Sequence, residues 1–99
     1  MRYIGYAELD KGHNFPLLKD SVSKEAYPNK REILRFLKNG EVDIARASRA
    51  KDIFSGEIIP NEVLVMHDGD FYWSTTLAYY VEKYNLRLPK DFESHILSN

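Results

Sequence analysis

The stretch that decides the fold is DGDFYWSTTLAYYVEKYNLRLP, which runs from Asp68 to Pro89. Within 22 residues it holds four of the chain's seven tyrosines and its only tryptophan. Aromatic side chains at this density form either a hydrophobic core or a surface built for binding, because each ring offers a large area for burial. The turn and helix signals inside the stretch separate these two roles.

A β-hairpin is predicted where this stretch begins. The apolar runs VLVM and FYW flank Asp68-Gly69. Asp-Gly between apolar runs favours a tight hairpin turn, because glycine accepts the positive φ that twisted strands require. With Asp68-Gly69 as the two turn residues, Met66 is expected opposite Phe71, and Leu64 opposite Trp73. These four residues then form the apolar face of the hairpin.

A helix is predicted next, over about residues 75–84, with Ser74 or Thr75 at its start and Asn85 at its end. At about 100° per residue, its apolar and aromatic side chains share one stripe. Tyr79 lies opposite that stripe among charged neighbours. The six residues of the hairpin and helix assigned to the core are Phe71, Trp73, Leu77, Tyr80, Val81 and Tyr84.

Two further helices are predicted on either side of this unit. Asn29-Lys-Arg-Glu32 has the spacing of a capping box, which predicts a helix over about residues 30–39. Lys38-Asn39-Gly40 is typical of a helix end, because glycine permits a left-handed cap and lysine faces the negative end of the helix dipole. Pro89 fits the first turn of a last helix over residues 90–97.

The remaining segments predict an α+β fold. Val42 and Ile44 alternate with acidic residues, which indicates a half-buried strand. Around residues 51–59, apolar pairs flank Ser-Gly and indicate a tight turn. Residues 41–73 are therefore expected to form a small antiparallel meander packed against the helices, with an N-terminal strand over residues 1–9 as a candidate fourth member. All 99 residues are assigned to a single domain.

Composition narrows the classes of function. A net charge of -1 argues against nonspecific nucleic-acid binding, which needs a basic excess. The chain has no cysteine, so no disulfide or thiolate metal site is expected, and a cytoplasmic location fits. The N-terminus lacks the apolar region of a signal peptide, and no apolar run approaches the roughly 20 residues of a membrane span. Residues 60–99 are mildly acidic, with 3 Lys and Arg against 6 Asp and Glu.

No catalytic site, cofactor site or metal site is predicted. The three histidines lie in separate segments. The best group of metal-ligating residues is His67 with Asp68 and Asp70, and a solvated hairpin tip explains it better, because Asp and Gly serve the geometry of the turn. The hydroxyls of Ser74 and Thr75 are explained by helix capping. We therefore predict a protein that is not an enzyme.

Two tyrosines and several acids are left once the core is assigned. Exposed tyrosine beside acidic groups is typical of a binding surface, because tyrosine combines a large rigid contact area with a hydroxyl. Ordinary local packing is the other interpretation of both tyrosines. The candidate partner-binding residues are Asp68, Asp70, Tyr72, Tyr79 and Glu82.

The string DGxxYWxxxLxYYVxKYxLxLPxxFxxH, from Asp68 to His95, resembles a C-terminal signature of small bacterial proteins encoded beside polymorphic toxins. Those proteins are immunity proteins, including those of contact-dependent growth-inhibition systems. The resemblance covers about residues 63–96. It implies a cytoplasmic protein that binds the C-terminal domain of one cognate toxin tightly and blocks it, with no chemistry of its own. The acidic C-terminal part would suit a basic toxin cleft, because complementary charge speeds encounter.

Two other functions stay open. A nucleic-acid-associated module would use the outer side of the helix over 30–39, although no aromatic residues interleave with its cations. Those cations are Lys30, Arg31, Arg35 and Lys38. A self-associating domain would place Tyr72 and Tyr79 at a homodimer contact. None of these functions requires a membrane.

Overall fold

Helices packed on a mixed β-sheet make up the fold, which confirms the predicted α+β class. The computed structural model describes residues 2–10, 14–44 and 49–98. The helices predicted over about 30–39, 75–84 and 90–97 are confirmed as the second, third and fourth helices. In chain order the described elements are β1 (Arg2–Ile4), α1 (Ala7–Asp10), α2 (Lys30–Lys38), β2 (Glu41–Ile44), β3 (Val65–His67), β4 (Phe71–Ser74), α3 (Thr76–Tyr84) and α4 (Lys90–Leu97).

The described strands form one sheet in the order β1-β4-β3-β2. Strands β2, β3 and β4 make the predicted antiparallel meander, while β1 joins it parallel to β4. The predicted strand over residues 1–9 is too long, because the chain leaves β1 after Ile4 and turns into α1. Asp10 holds this turn, since its carboxylate accepts hydrogen bonds from the N–H of Tyr6 and the hydroxyl of Tyr3, both at 2.8 Å.

The hairpin register differs from the prediction by two residues. The structure pairs Met66 with Trp73 instead of Phe71, and the turn residues are Gly69-Asp70. The carboxylate of Asp68 favours this turn, because its Oδ1 accepts hydrogen bonds from the N–H groups of Asp70 and Phe71 at 3.0 and 2.8 Å. Side chains alternate along a strand with a period of two, so an even shift leaves every side chain on its predicted face.

Trp73 lies at the centre of the core. Its side chain is fully buried, and its ring centroid lies 5.5 Å from those of both Phe36 and Phe92. Its indole N–H donates a hydrogen bond to the carbonyl of Leu37 at 3.2 Å. Helices α2 and α4 therefore meet over the same strand. The six residues predicted for the core are either buried or packed against the buried cluster.

Gly40 is required by a close approach to that ring rather than by a helix cap. Among the described glycines, only Gly56 and Gly69 have positive φ. A Cβ on Gly40 would lie 2.8 Å from Cζ2 of Trp73. The predicted left-handed cap at Gly40 is therefore wrong, and the indole ring explains the glycine.

The helix ends fall near the predicted residues, with partly different contacts. Asn29 precedes α2 but has φ 68 and makes no side-chain cap, so the predicted capping box is wrong. At the start of α3, the N–H of Thr76 donates a hydrogen bond to Ser74 Oγ at 3.2 Å. Asn85 ends α3 in the left-handed conformation, with φ 57 and ψ 40, which confirms the predicted C-cap.

Candidate partner-binding site

One buried carboxylate fixes the turn over residues 51–59. Asp52 is only 1% exposed. It accepts hydrogen bonds from the hydroxyls of Tyr79 and Tyr84 at 2.7 and 2.5 Å, and from two N–H groups of the turn at 2.7 and 3.1 Å. Burying a carboxylate is unfavourable unless it is hydrogen-bonded, and these four donors meet that requirement. The tyrosines of α3 thereby attach this turn to the helix.

The same hydrogen bonds determine the charge of Asp52. Burial acts to raise the pKa of this carboxyl, but the bonds from Tyr84, Tyr79 and the turn outweigh burial and hold the pKa well below its ordinary value. Bonding to Asp52 in turn raises the pKa of both tyrosines. The ammonium of Lys83 lies 3.7 Å from the carboxylate. Asp52 is therefore ionised at neutral pH, and Tyr79 uses its hydroxyl within the fold.

The anchored turn displays apolar side chains that were not among the predicted contact residues. Ile53, Phe54 and Ile58 are 41%, 43% and 62% exposed. The Phe54 ring lies 4.7 Å from that of Tyr84, and the N–H of Ile53 donates a hydrogen bond to the Tyr80 hydroxyl at 3.1 Å. The apolar pairs around Ser-Gly predicted a turn, but no pattern in them indicated which side chains would face outward.

An open groove of about 550 Å³ lies between α2, α3 and the sheet. Strands β2 and β3 form its floor, and the segment over residues 59–64 completes its wall. Two of the predicted contact residues, Tyr79 and Glu82, line it together. The side chains that chiefly line this groove are those of Leu37, Val42, Ile59, Met66, Ala78 and Tyr79.

The side-chain hydroxyls along the groove are already bonded within the fold. Thr75 accepts a hydrogen bond from the N–H of Leu64 at 3.0 Å. The hydroxyl of Thr76 lies 2.8 Å from that of Ser74. The Tyr79 hydroxyl is bonded to the buried carboxylate. What the groove offers to a ligand is therefore an apolar lining with charges at its rim.

Strand β2, which contributes Val42 to the floor of the groove, is an edge strand. It pairs, among the described residues, with β3 alone. Val42 was expected to face the core, yet it is 50% exposed, because none of the described helices covers this edge. Across the groove, Lys38 and Glu82 join α2 to α3 through an ion pair at 3.4 Å.

Asp68 and Asp70 lie at the hairpin tip and do not line the groove. Oδ2 of Asp68 lies 2.5 Å from Nε2 of His95, whose ring centroid lies 4.8 Å from that of Phe71. Burial acts to raise the pKa of Asp68, but the bond to His95 and those from the backbone lower it overall.

The histidine that lies beside these two aspartates is His95 and not His67, which is the one close to them in the sequence. The ligand atoms of Asp68, Asp70 and His95 lie within 4.8 Å of one another. The geometry of the turn and the pairing of Asp68 with His95 account for this cluster, and we assign no metal to it. His67 instead lies 3.8 Å from Glu41 on the neighbouring strand.

Tyr72 lies on the sheet face opposite to Trp73. Its ring centroid is 4.9 Å from that of Tyr3, which in turn lies 6.0 Å from Phe15. The candidate contact residues therefore occupy three separate places. They are Tyr79 and Glu82 at the groove, Asp68 and Asp70 at the hairpin tip, and Tyr72 on the far face of the sheet.

Comparison of the chain with protein-family models, with curated proteins and with solved structures finds no match. Within the described residues, every helix is too short or too polar to cross a bilayer. The groove and the string from Asp68 to His95 are therefore the two features of this chain that bear on its function.

Proposed function

We propose that this protein is a cytoplasmic immunity protein that binds the C-terminal domain of one bacterial toxin and blocks it without chemistry of its own. The observation that carries this proposal is the groove. It is an open apolar surface at which Tyr79 and Glu82, two residues selected from the sequence as partner contacts, lie together. The resemblance of the string from Asp68 to His95 to immunity proteins supplies the kind of partner.

The groove is held in shape before any partner binds. The ammonium of Lys30 bonds to the carbonyl of Glu82 at 3.0 Å and to the side chain of Asn85 at 2.6 Å. Lys38 pairs with the carboxylate of Glu82. These contacts fix α2 against α3, and Asp52 fixes the neighbouring turn. An ordered surface loses less conformational entropy on binding, which suits a tight inhibitor.

The same contacts count against the nucleic-acid alternative. Proteins bind a phosphate backbone through groups of available cations. Lys30 and Lys38 were predicted for the outer side of α2, but both are bonded to residues of α3 or its C-cap. Of the four cations, Arg31 and Arg35 are left for a phosphate backbone, and both are exposed. Two such cations on a chain with a net charge of -1 make a weak footprint for nucleic acid.

Complex formation with a toxin domain tests the proposal. The proposal expects a toxin gene immediately upstream, and the C-terminal domain that it encodes is co-expressed with the tagged protein. We expect the two to co-purify in equal amounts, and we expect the protein to restore growth to cells that express the toxin domain. An unrelated toxin domain of similar charge is the control and should stay unbound. Absence of a complex at micromolar concentrations would refute the immunity role.

A further inference from the structure

We infer that the groove receives an apolar side-chain anchor from a partner polypeptide, and that lysine or arginine flanks this anchor. The identity of the partner as a toxin domain rests on the proposed function. The chemistry of the bound segment rests on the groove itself, on its lining, its bonded polar groups and the charge around it.

The lining selects an apolar anchor. Met66 and the half-exposed Val42 form the floor, while Leu37 and Ile59 contribute to the walls. Ala78 lies on the α3 side, where its single methyl group leaves the space open. A volume of about 550 Å³ lies within the range of roughly 300–1,000 Å³ that is usual for clefts that bury a ligand.

A polypeptide fits this groove better than a small polar molecule does. Small-molecule sites orient their ligands with a few available polar groups. Here the hydroxyls of Thr75, Thr76 and Tyr79 are all bonded within the fold. An apolar side chain needs no such partner, and the rest of its chain can contact the rim.

The charge around the groove favours a basic segment. Glu62 and Glu82 line the groove together with Lys38. Because Lys38 is paired with Glu82, the charge of the lining that is left over is that of Glu62, and it is negative. Complementary charge of this kind selects partners and speeds their association.

Panning a random dodecapeptide phage library against the immobilised protein tests this inference without any toxin. We expect enriched sequences that combine Trp, Phe or Leu with neighbouring Lys or Arg. A synthetic copy of an enriched peptide should bind the protein in solution, and its Kd should rise as salt is added, because salt screens exposed charges.

Two variants and a control locate the binding. Ala78→Arg fills the groove and adds positive charge, so we expect at least about tenfold weaker peptide binding. Glu62→Lys leaves the groove open and should weaken binding about threefold or more while flattening its salt dependence. Arg31→Ala, at an exposed position of α2 that does not line the groove, should leave the affinity unchanged. If circular dichroism shows that Ala78→Arg does not fold, Glu62→Lys decides.

Several results would overturn the inference. They are the absence of any enriched sequence, enriched peptides without basic residues, and an affinity that is the same for wild type, Ala78→Arg and Glu62→Lys. The proposed function fails separately. If the toxin domain does not bind the wild-type protein, the peptide result still stands. If the toxin domain binds Ala78→Arg as tightly as wild type, the immunity role stands, and the groove is not its contact surface.

Discussion

Gly40 lies against the indole ring of Trp73, where even a methyl group does not fit. A Cβ would lie 2.8 Å from Cζ2 of the ring and 3.1 Å from the carbonyl oxygen of His67. We expect Gly40→Ala to lower the free energy of unfolding by about 1–3 kcal/mol, because a close-packed core relieves overlap only by moving its neighbours. Urea denaturation measures the change. The control Asn39→Ala, at an exposed position, should shift stability by less than about 0.5 kcal/mol.

Asp52 is the buried residue on which the turn over residues 51–59 depends. Replacing it by asparagine keeps the volume but removes the charge that two tyrosine hydroxyls and two N–H groups contact. Because hydrogen bonds to a charged group are the stronger kind, we expect Asp52→Asn to lose about 1.5–3 kcal/mol of stability. Lys83→Met removes the exposed ion-pair partner together with its hydrogen bond to the Tyr79 hydroxyl, and it should lose less stability than Asp52→Asn, because solvent screens an exposed cation. Equal losses in the two variants would argue against a dominant role for the buried bonds.

The lowered pKa of Asp52 also predicts a pH dependence. Its folded-state pKa lies below the unfolded value of about 3.9, so its contribution is fully present above about pH 4 and is lost as the pH falls through the folded value. The stability difference between wild type and Asp52→Asn should therefore shrink between about pH 4 and pH 2.5. Other carboxyls are common to both proteins and cancel in the difference. A gap that stays constant over this range would contradict the assignment.

The role of Asp52 could not be predicted from the sequence. Its hydroxyl donors on α3 lie 27 and 32 residues away along the chain. The local pattern of apolar pairs around Ser-Gly predicts a turn, but it does not predict a buried carboxylate whose hydrogen-bond partners are that distant in the chain. Asn85 is the opposite case. An asparagine at the end of an amphipathic stripe is a local signal, and Asn85 was predicted correctly as the C-cap.

At the scale of the elements, periodicity predicted faces better than it predicted contacts. The predicted register of the hairpin was wrong by two residues, because the carboxylate of Asp68 organises the turn. A side-chain contact of this kind is not visible in an apolar pattern. The predicted sheet faces of the hairpin residues were still correct, since strand side chains repeat every two residues. Helices α2, α3 and α4 were all predicted, because each carries an apolar stripe and a local end signal.

The packing of β4 against α2 and α4 is expected to depend on Trp73. Its ring fills the space between Phe36 and Phe92, and its N–H bonds to the carbonyl of Leu37. We expect Trp73→Ala to lower the free energy of unfolding by about 3–5 kcal/mol, because it leaves a large cavity among three elements. Leu97→Ala, at a position 45% exposed, is the control. A loss under about 1 kcal/mol in chemical denaturation would mean that the core tolerates the cavity.

At the scale of the whole molecule, the parallel pairing of β1 with β4 brings the N-terminal strand beside a strand about 70 residues later in the chain. Nothing local in either strand identifies the other, so the sequence placed an N-terminal strand near the sheet without its neighbour or its direction. The groove was equally hard to predict from the sequence. It exists because α2 and α3 leave the β2 edge uncovered, and helix stripes do not reveal that offset. Of the residues that line the groove, only Tyr79 and Glu82 were predicted as partner contacts, because both lie away from the apolar stripe of one helix.

Helix α4 covers one side of the core, and we expect the protein to unfold when this helix is removed. Phe92 is fully buried, 5.5 Å from the ring of Trp73, and Asp91 pairs with Arg2 of the N-terminal strand. Deleting residues 90–99 exposes this side of the core, and we expect the cooperative unfolding transition to disappear, with tryptophan fluorescence shifted to the red. Deleting only residues 98–99 leaves α4 intact and should preserve the transition. If the longer deletion still unfolds cooperatively near the wild-type midpoint, the sheet, α2 and α3 form a stable core by themselves, and α4 serves another purpose.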